Sequence, residues 1–179
     1  MLKVEQRTWE EALIIRLAKA ILCVPLALFG LLVAVDNVID YGTNYAFVQH
    51  VLSMDTTFPG NALMGRAITN APVWQFGYGA IIVGEALTGL CFLVAALTLM
   101  ANLRAPPTQF AQAKTWAVVA GTVGFLVWFL GFAVIGGEWF QMWQSQTWNG
   151  QEPAFRFMSA NRMRHSAGSG GLRVRVQSR

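Results

Sequence analysis

Polar positions are sparse in this chain and unevenly spread. Between Pro72 and Leu103 the one acidic or basic side chain is Glu85, and between Thr115 and Gly137 there is none. A third apolar run fills 20–35, close to the N-terminus. A hydrocarbon core roughly 30 Å thick takes about 20 mostly apolar residues to cross as a helix. The pattern therefore predicts an all-α fold, a transmembrane helical bundle with spans at about 17–39, 76–101 and 115–135. The uncharged core of the first span is short, so Lys19 and Asp36 are expected to snorkel at its two ends. Pro25 and Gly30 inside it would permit a kink.

The segments between the spans carry their own patterns. Met1 to Lys19 reads as an amphipathic lead-in, with Ala12, Leu13, Ile14, Ile15 and Leu17 on one face and Glu5, Glu10, Glu11 and Arg16 on the other. In the connection from Asn37 to Trp74, Thr43 or Asn44 is placed to cap a short helix whose stripe is Phe47, Val48, Val51 and Leu52. Phe58-Pro59-Gly60-Asn61 predicts a turn, and Ala62 to Ile68 is helical in pattern. These short helices are expected at the outer interface. Arg104, Pro106 and Pro107 end the second span, and Gly136-Gly137 is expected to close the third. Small residues four apart (Ala80 and Gly84, Ala117 and Gly121, Ala120 and Gly124) predict close helix approach, although glycine is common in membrane helices in any case. Trp139, Trp143 and Trp148 predict an interfacial aromatic belt, with an aromatic ligand box as the lesser alternative.

Composition narrows the class further. Of 179 residues only 12% are charged, against about 25% in a typical soluble domain. A chain of this length forms one domain and leaves no room for a separate soluble enzyme beside the bundle. The net charge of +4 gathers at the ends: Lys3, Arg7, Arg16 and Lys19 precede the first span, and six arginines follow Phe155. No groove-reading motif accompanies them, so a nucleic-acid partner is set aside. The short-loop bias places the N-terminus and the Arg104–Lys114 loop in the cytoplasm and the first connection outside. Three spans would then put a basic tail outside, against that bias. Cys23 and Cys91 lie in apolar runs without a CxxC motif, so they read as small buried hydrophobes, and no cofactor or metal is expected. No small-x-small cleavage site follows the first run, which therefore reads as an uncleaved span.

Long polar-aromatic strings add a family resemblance. They are Asp40-Tyr41, the run Phe47 to Pro59, Arg66-Ala67-Ile68, Gly136 to Phe140, Met142 to Ser145, Trp148 to Gln151 and Ala154-Phe155-Arg156. Over roughly 17–157 the chain resembles the bacterial family catalogued as domain of unknown function 2165, small integral membrane proteins. The resemblance implies a four-span bundle in the bacterial inner membrane, with both ends cytoplasmic, and brings no activity with it. The fourth span would follow Phe155-Arg156-Phe157, but the chain instead runs basic and Gly/Ser-rich to Arg179. The expected division is an integral membrane domain at 1–157 and a disordered tail at 158–179. A truncated or frame-shifted end would account for the departure, and a lineage-specific tail is the alternative.

Candidate chemistry rests on a few polar groups. A carboxylate as deep as Glu85 is a functional hypothesis by default. Tyr78, Thr88 and Gly89 share its helical face, the first two as prospective donors and the third as room for a neighbouring helix. A proton or cation relay competes with a neutral acid bonded across the bundle, and the second is favoured. On the outer side Asp36, Asp40, Asp55 and Glu138 gather with His50. They could hold a divalent cation, but the favoured reading is structural, with Arg66 and Arg156 pairing with these acids to staple the connection onto the bundle. No nucleophile–base arrangement, phosphate loop or transporter-type repeat is visible. The leading expectation is a non-catalytic accessory or assembly partner, in contact with the lipid bilayer and with another membrane protein or a second copy. A small ion- or proton-coupled transporter using Glu85 comes second, and an enzyme last.

Overall fold

The computed structural model describes residues 2–151, with side chains described from residue 10. Helix α1 runs unbroken over Leu2–Ile39. The amphipathic lead-in is thus not a separate element but the first part of the same rod as the first span, and Pro25 sits within the helix without ending it. Helix α2, Tyr41–Ser53, follows after a single residue. Its cap position is Asp40, which makes no side-chain cap bond, so neither Thr43 nor Asn44 starts it. The helix stops at Met54, which adopts a left-handed conformation (φ 53°).

The expected turn at Phe58–Asn61 forms, with the Asn61 amide donating to the Phe58 carbonyl. The helical pattern of Ala62 to Ile68 yields only one 3-10 turn, Met64–Arg66. Helix α3, Ala71–Ala101, begins at a true cap: the Asn70 side chain accepts from the Val73 amide, and a proline occupies the first turn. At 31 residues it is about 45 Å long, so its ends stand outside the hydrocarbon. The short loop after it contains helix α4, Pro107–Ala113. Helix α5, Thr115–Phe125, then continues without a break into a π-helical segment, Leu126–Trp139.

Three helical rods, Glu10–Ile39, Ala71–Ala101 and Pro107–Trp139, are long and apolar enough to cross a membrane. α3 is the middle one and packs extensively on both α1 and α5, which meet each other far less. Phe29 on α1 and Trp128 on the π segment bridge them, with ring centroids 5.6 Å apart. The main core joins Ala20, Cys23, Leu26 and Ala27 to Phe92, Ala95, Ala96, Leu99, Phe110, Ala117, Ala120 and Trp128.

The first span is set by a stripe that sequence periodicity shows once it is looked for. Ala20, Cys23, Ala27, Gly30, Ala34 and Asn37 recur at steps of three and four, so small residues line one face of α1. That face lies on α3 with backbone almost touching backbone. A Cβ on Gly30 would stand 2.8 Å from the Gly89 nitrogen, and one on Gly89 would stand 2.6 Å from the Leu31 nitrogen. Gly30 is therefore a contact residue. On the other side of α3, Gly84 admits Val127.

The third rod changes pitch midway. Its buried positions advance as Ala117, Ala120 and Gly124 in α5, then as Trp128 and Gly136 with half-buried Phe132 between them. Steps of four replace steps of three and four, as the wider i→i+5 bonding requires. Gly136 and Gly137 do not close this span, which runs on to Trp139. They make room for the chain that folds back: a Cβ on Gly137 would stand 2.5 Å from the Gln151 amide nitrogen, and one on Gly136 3.0 Å from the Met142 sulfur.

Candidate functional site

Two polar constructions stand out, one inside the bundle and one at the end where α2 lies, here called the capped end. The inner one centres on Glu85, midway along α3 and only 2% exposed. Side chains on a helix lean toward its N-terminus, which for α3 is the capped end. Glu85 leans that way and meets Asn37, whose Nδ2 donates to Glu85 Oε2 at 2.6 Å. Asn37 belongs to the last turn of α1, where carbonyls lack intrahelical partners. Its own carbonyl accepts from the Tyr78 hydroxyl at 2.6 Å, and its Oδ1 lies 3.3 Å from the same hydroxyl. One asparagine thus ties an acid and a phenol of α3 to the end of α1.

The expected donors to Glu85 are not those used. Tyr78 serves Asn37 instead, and Thr88 donates to the Gly84 carbonyl within its own helix. Gly89 does provide the room foreseen for a neighbouring helix. Asn37 is what sequence reasoning missed. The signal was its place at the end of the small-residue stripe of α1, which aims it at the α3 seam.

The outer construction is an aromatic cap. His50 Nδ1 pairs with Asp55 at 2.8 Å, and the His50 ring stacks on Trp148 with centroids 4.7 Å apart. Phe47 packs between Trp148 and Phe132. Gln144 Oε1 accepts from the Phe58 amide at 2.9 Å, and Ser145 links Thr56 to the Trp148 amide. These contacts clamp the Tyr41–Ile68 connection to the segment after Trp139. Beneath them lies a second small core of Val51, Met54, Phe140 and Met142.

At Arg66 the acid-based staple does not form as expected. Arg66 donates to the Trp139 carbonyl at 3.2 Å and covers the Trp139 ring at 4.6 Å. The arginine does staple the connection, but through a carbonyl and a π face. A guanidinium is weakly hydrated and planar, which suits it to such a surface. Asp36, Asp40 and Glu138 are exposed on separate elements, and only Asp55 meets His50. Among the described residues, no three of His, Cys, Asp and Glu gather in a way that would hold a metal ion. Arg156, the other expected partner, lies outside the described residues, as do the tail at 158–179 and the place of a fourth span. Of the belt tryptophans, Trp139 and Trp143 are exposed while Trp148 is half-buried in the cap.

The opposite end has a clamp that the sequence reading did not foresee. Arg16 donates to the carbonyls of Leu103 at 2.9 Å and Ala105 at 2.6 Å and lies 4.7 Å from the centre of the Phe110 ring. It sits four residues before Ala20, on the same face as the small stripe.

Three apolar rods with a buried acid and an aromatic rim define an integral membrane protein of the helical class. Residues 15–162 match the family described as predicted small integral membrane protein (DUF2165), and the chain belongs to that family. No curated protein and no solved structure matches it.

Proposed function

We propose that the protein is a non-catalytic accessory or assembly partner of a membrane complex. The observation that carries this reading is the poor cover of the third rod. Of its most apolar stretch 17% is buried within the chain, half the share of the other two spans. Phe125 and Phe129 stack on its open side, 4.7 Å apart, and the exposed Trp139 and Trp143 continue the rim. An exposed aromatic face of this kind suits helix–helix contact in lipid, where association rests on close packing rather than on escape from water. The partners under this reading are the bilayer and another membrane protein or a second copy, with no nucleic acid.

The location that fits is the bacterial inner membrane. Four basic residues precede the first span and two lie near the opposite end of α3, whereas Arg66 is alone on the connection at the capped end. On these short loops the positive-inside bias favours a cytoplasmic N-terminus and a capped end outside. Gentle detergent extraction with a photo-crosslinker at Phe129 tests the proposal. A defined adduct that a crosslinker at Leu90 does not give is expected, and an isolated monomer at both positions overturns it.

A second reading, a small ion- or proton-coupled transporter, is favoured by one observation: a carboxyl midway along α3 with almost no exposure. Under that reading Glu85→Gln abolishes ion or proton flux in vesicles while leaving the bundle assembled.

A further inference from the structure

The polar groups around Glu85 are not symmetrical about it. Toward the capped end two hydrogen bonds lead into a ring contact. Asn37 bonds Glu85, Tyr78 bonds Asn37, and the Tyr78 ring packs edge-on against Tyr41 at 4.8 Å. Tyr41 is exposed and follows directly on Asp40, which is exposed as well. Toward the other end the series stops at once. Thr88 is turned onto its own helix, and the next layers are Cys23, Ala27, Phe92, Ala95 and Leu99, all buried. Glu85 therefore stands at the bottom of a polar cul-de-sac.

Its own bonding is incomplete. An ionised carboxylate offers about four lone-pair sites. Among the described residues Asn37 is the one donor to Glu85, and it serves Oε2. A charge so enclosed and so thinly bonded is costly in a medium of low dielectric. Among the described residues, the groups facing the acid offer no counter-charge. α3 presents Tyr78, α1 presents Asn37 with Asp36 beside it on the exposed side, and α2 adds Tyr41 and Tyr45, both against the Tyr78 ring, beyond Asp40. The third rod has no ionisable side chain between Thr115 and Gly137.

We propose that Glu85 is a proton-binding site open to the capped side of the membrane alone, reached past Asp40, Tyr78 and Asn37. A proton from the water on that side adds to a carboxylate oxygen and gives the neutral acid, and release reverses the step. The site reports the acidity of one compartment to the α1–α3 seam, because the bond that changes strength is the one between Asn37 and Glu85. A cul-de-sac conducts nothing across the membrane. The inference therefore goes beyond the accessory reading and stands apart from the transporter reading, which needs access from both sides.

Infrared difference spectroscopy on the full chain, inserted in one direction in lipid vesicles, tests it. The carboxylic-acid carbonyl band of Glu85 is followed after a pH step on one side at a time. Isotope labelling of glutamate carboxyls assigns the band without any substitution, and its loss in Glu85→Gln confirms the assignment where that variant assembles. The expected result is a band that changes with a step on the capped side and is unmoved by the same step on the other. Tyr78→Phe should slow the response severalfold without abolishing it. A band that answers to both sides, to the opposite side alone or to neither overturns the proposal. An answer to both sides would at the same time favour transport.

Discussion

α3 makes two seams, and they are built on different principles. Against α1, backbone meets backbone at Gly30 and Gly89, and one asparagine locks the register through Glu85 and Tyr78. Against the third rod, a side chain fills the gap: Val127 lies over Gly84, and no polar bond between the two helices crosses there at mid-span among the described residues. The first seam has no slack, because helix backbones cannot step aside. The second has some, because a valine can turn. The difference matters in lipid, where close packing and interhelical hydrogen bonds carry association.

The sharpest way to break the comparison is to add volume to the tight seam. Gly30→Val places carbon where the Gly89 nitrogen and α-carbon already stand, within 2.9 Å. Overfilling of this kind costs typically 1–3 kcal/mol, and with backbone on both sides about 3 kcal/mol is expected here. Denaturation in mixed detergent micelles reads the loss. A variant as stable as the parent would show that α1 is held elsewhere.

The polar lock comes next. In a double-mutant cycle between Asn37→Ala and Glu85→Ala, the coupling should fall at about 1 kcal/mol, within the range known for hydrogen bonds between membrane helices. Asn37→Ala alone strands Glu85, because the Tyr78 hydroxyl keeps the backbone carbonyl of residue 37, and Tyr78→Phe alone strands that carbonyl, so the two losses should be similar. A much larger loss for one of them would mean that a single bond holds the seam.

Gly84→Ala probes the looser seam. The new methyl would stand 2.5 Å from one methyl of Val127, the mobile end of that side chain. Rotation of the valine relieves most of the contact, so a loss below about 1 kcal/mol is expected, well under that of Gly30→Val. A loss as large as that at Gly30 would erase the distinction between the seams.

The two seams also differ in how far the sequence discloses them. Span existence is plain from the charge-free runs, and Glu85 declares itself by standing alone in one of them. Its partner is 48 positions away in the chain, and no local rule links a lone acid to a distant asparagine. The small-residue stripe of α1 does point to the seam, but its steps of three and four are easily passed over beside the more familiar spacing of four in the other helices. Gly30, five residues after Pro25, draws notice as a place for a kink, and its use as a contact shows only in the packing. The π segment is not read from its residues, since the glycines at 131, 136 and 137 look like those common in any membrane helix. Charge rules fail differently at the cap. They pair Arg66 with acids, but those acids point to water, and the guanidinium takes the nearer ring and carbonyl of Trp139.

That last contact sets the smallest expected effect. Arg66→Ala removes one cation–π contact and one long hydrogen bond at a partly exposed site, worth about 0.5–1 kcal/mol together. Arg66→Lys should recover part of it, because an ammonium keeps the charge but not the planar overlap with the indole. The rest of the cap is independent of Arg66, resting on the Gln144 contact with the Phe58 amide and on the His50–Trp148 stack. Tryptophan fluorescence of the cap and protease sensitivity of the connection should therefore change little, while overall stability falls slightly. A cap that opens fully on losing Arg66 would mean that the arginine holds this end of the molecule much as Asn37 holds the seam, and the contrast between a locked seam and a redundantly fastened cap would be lost.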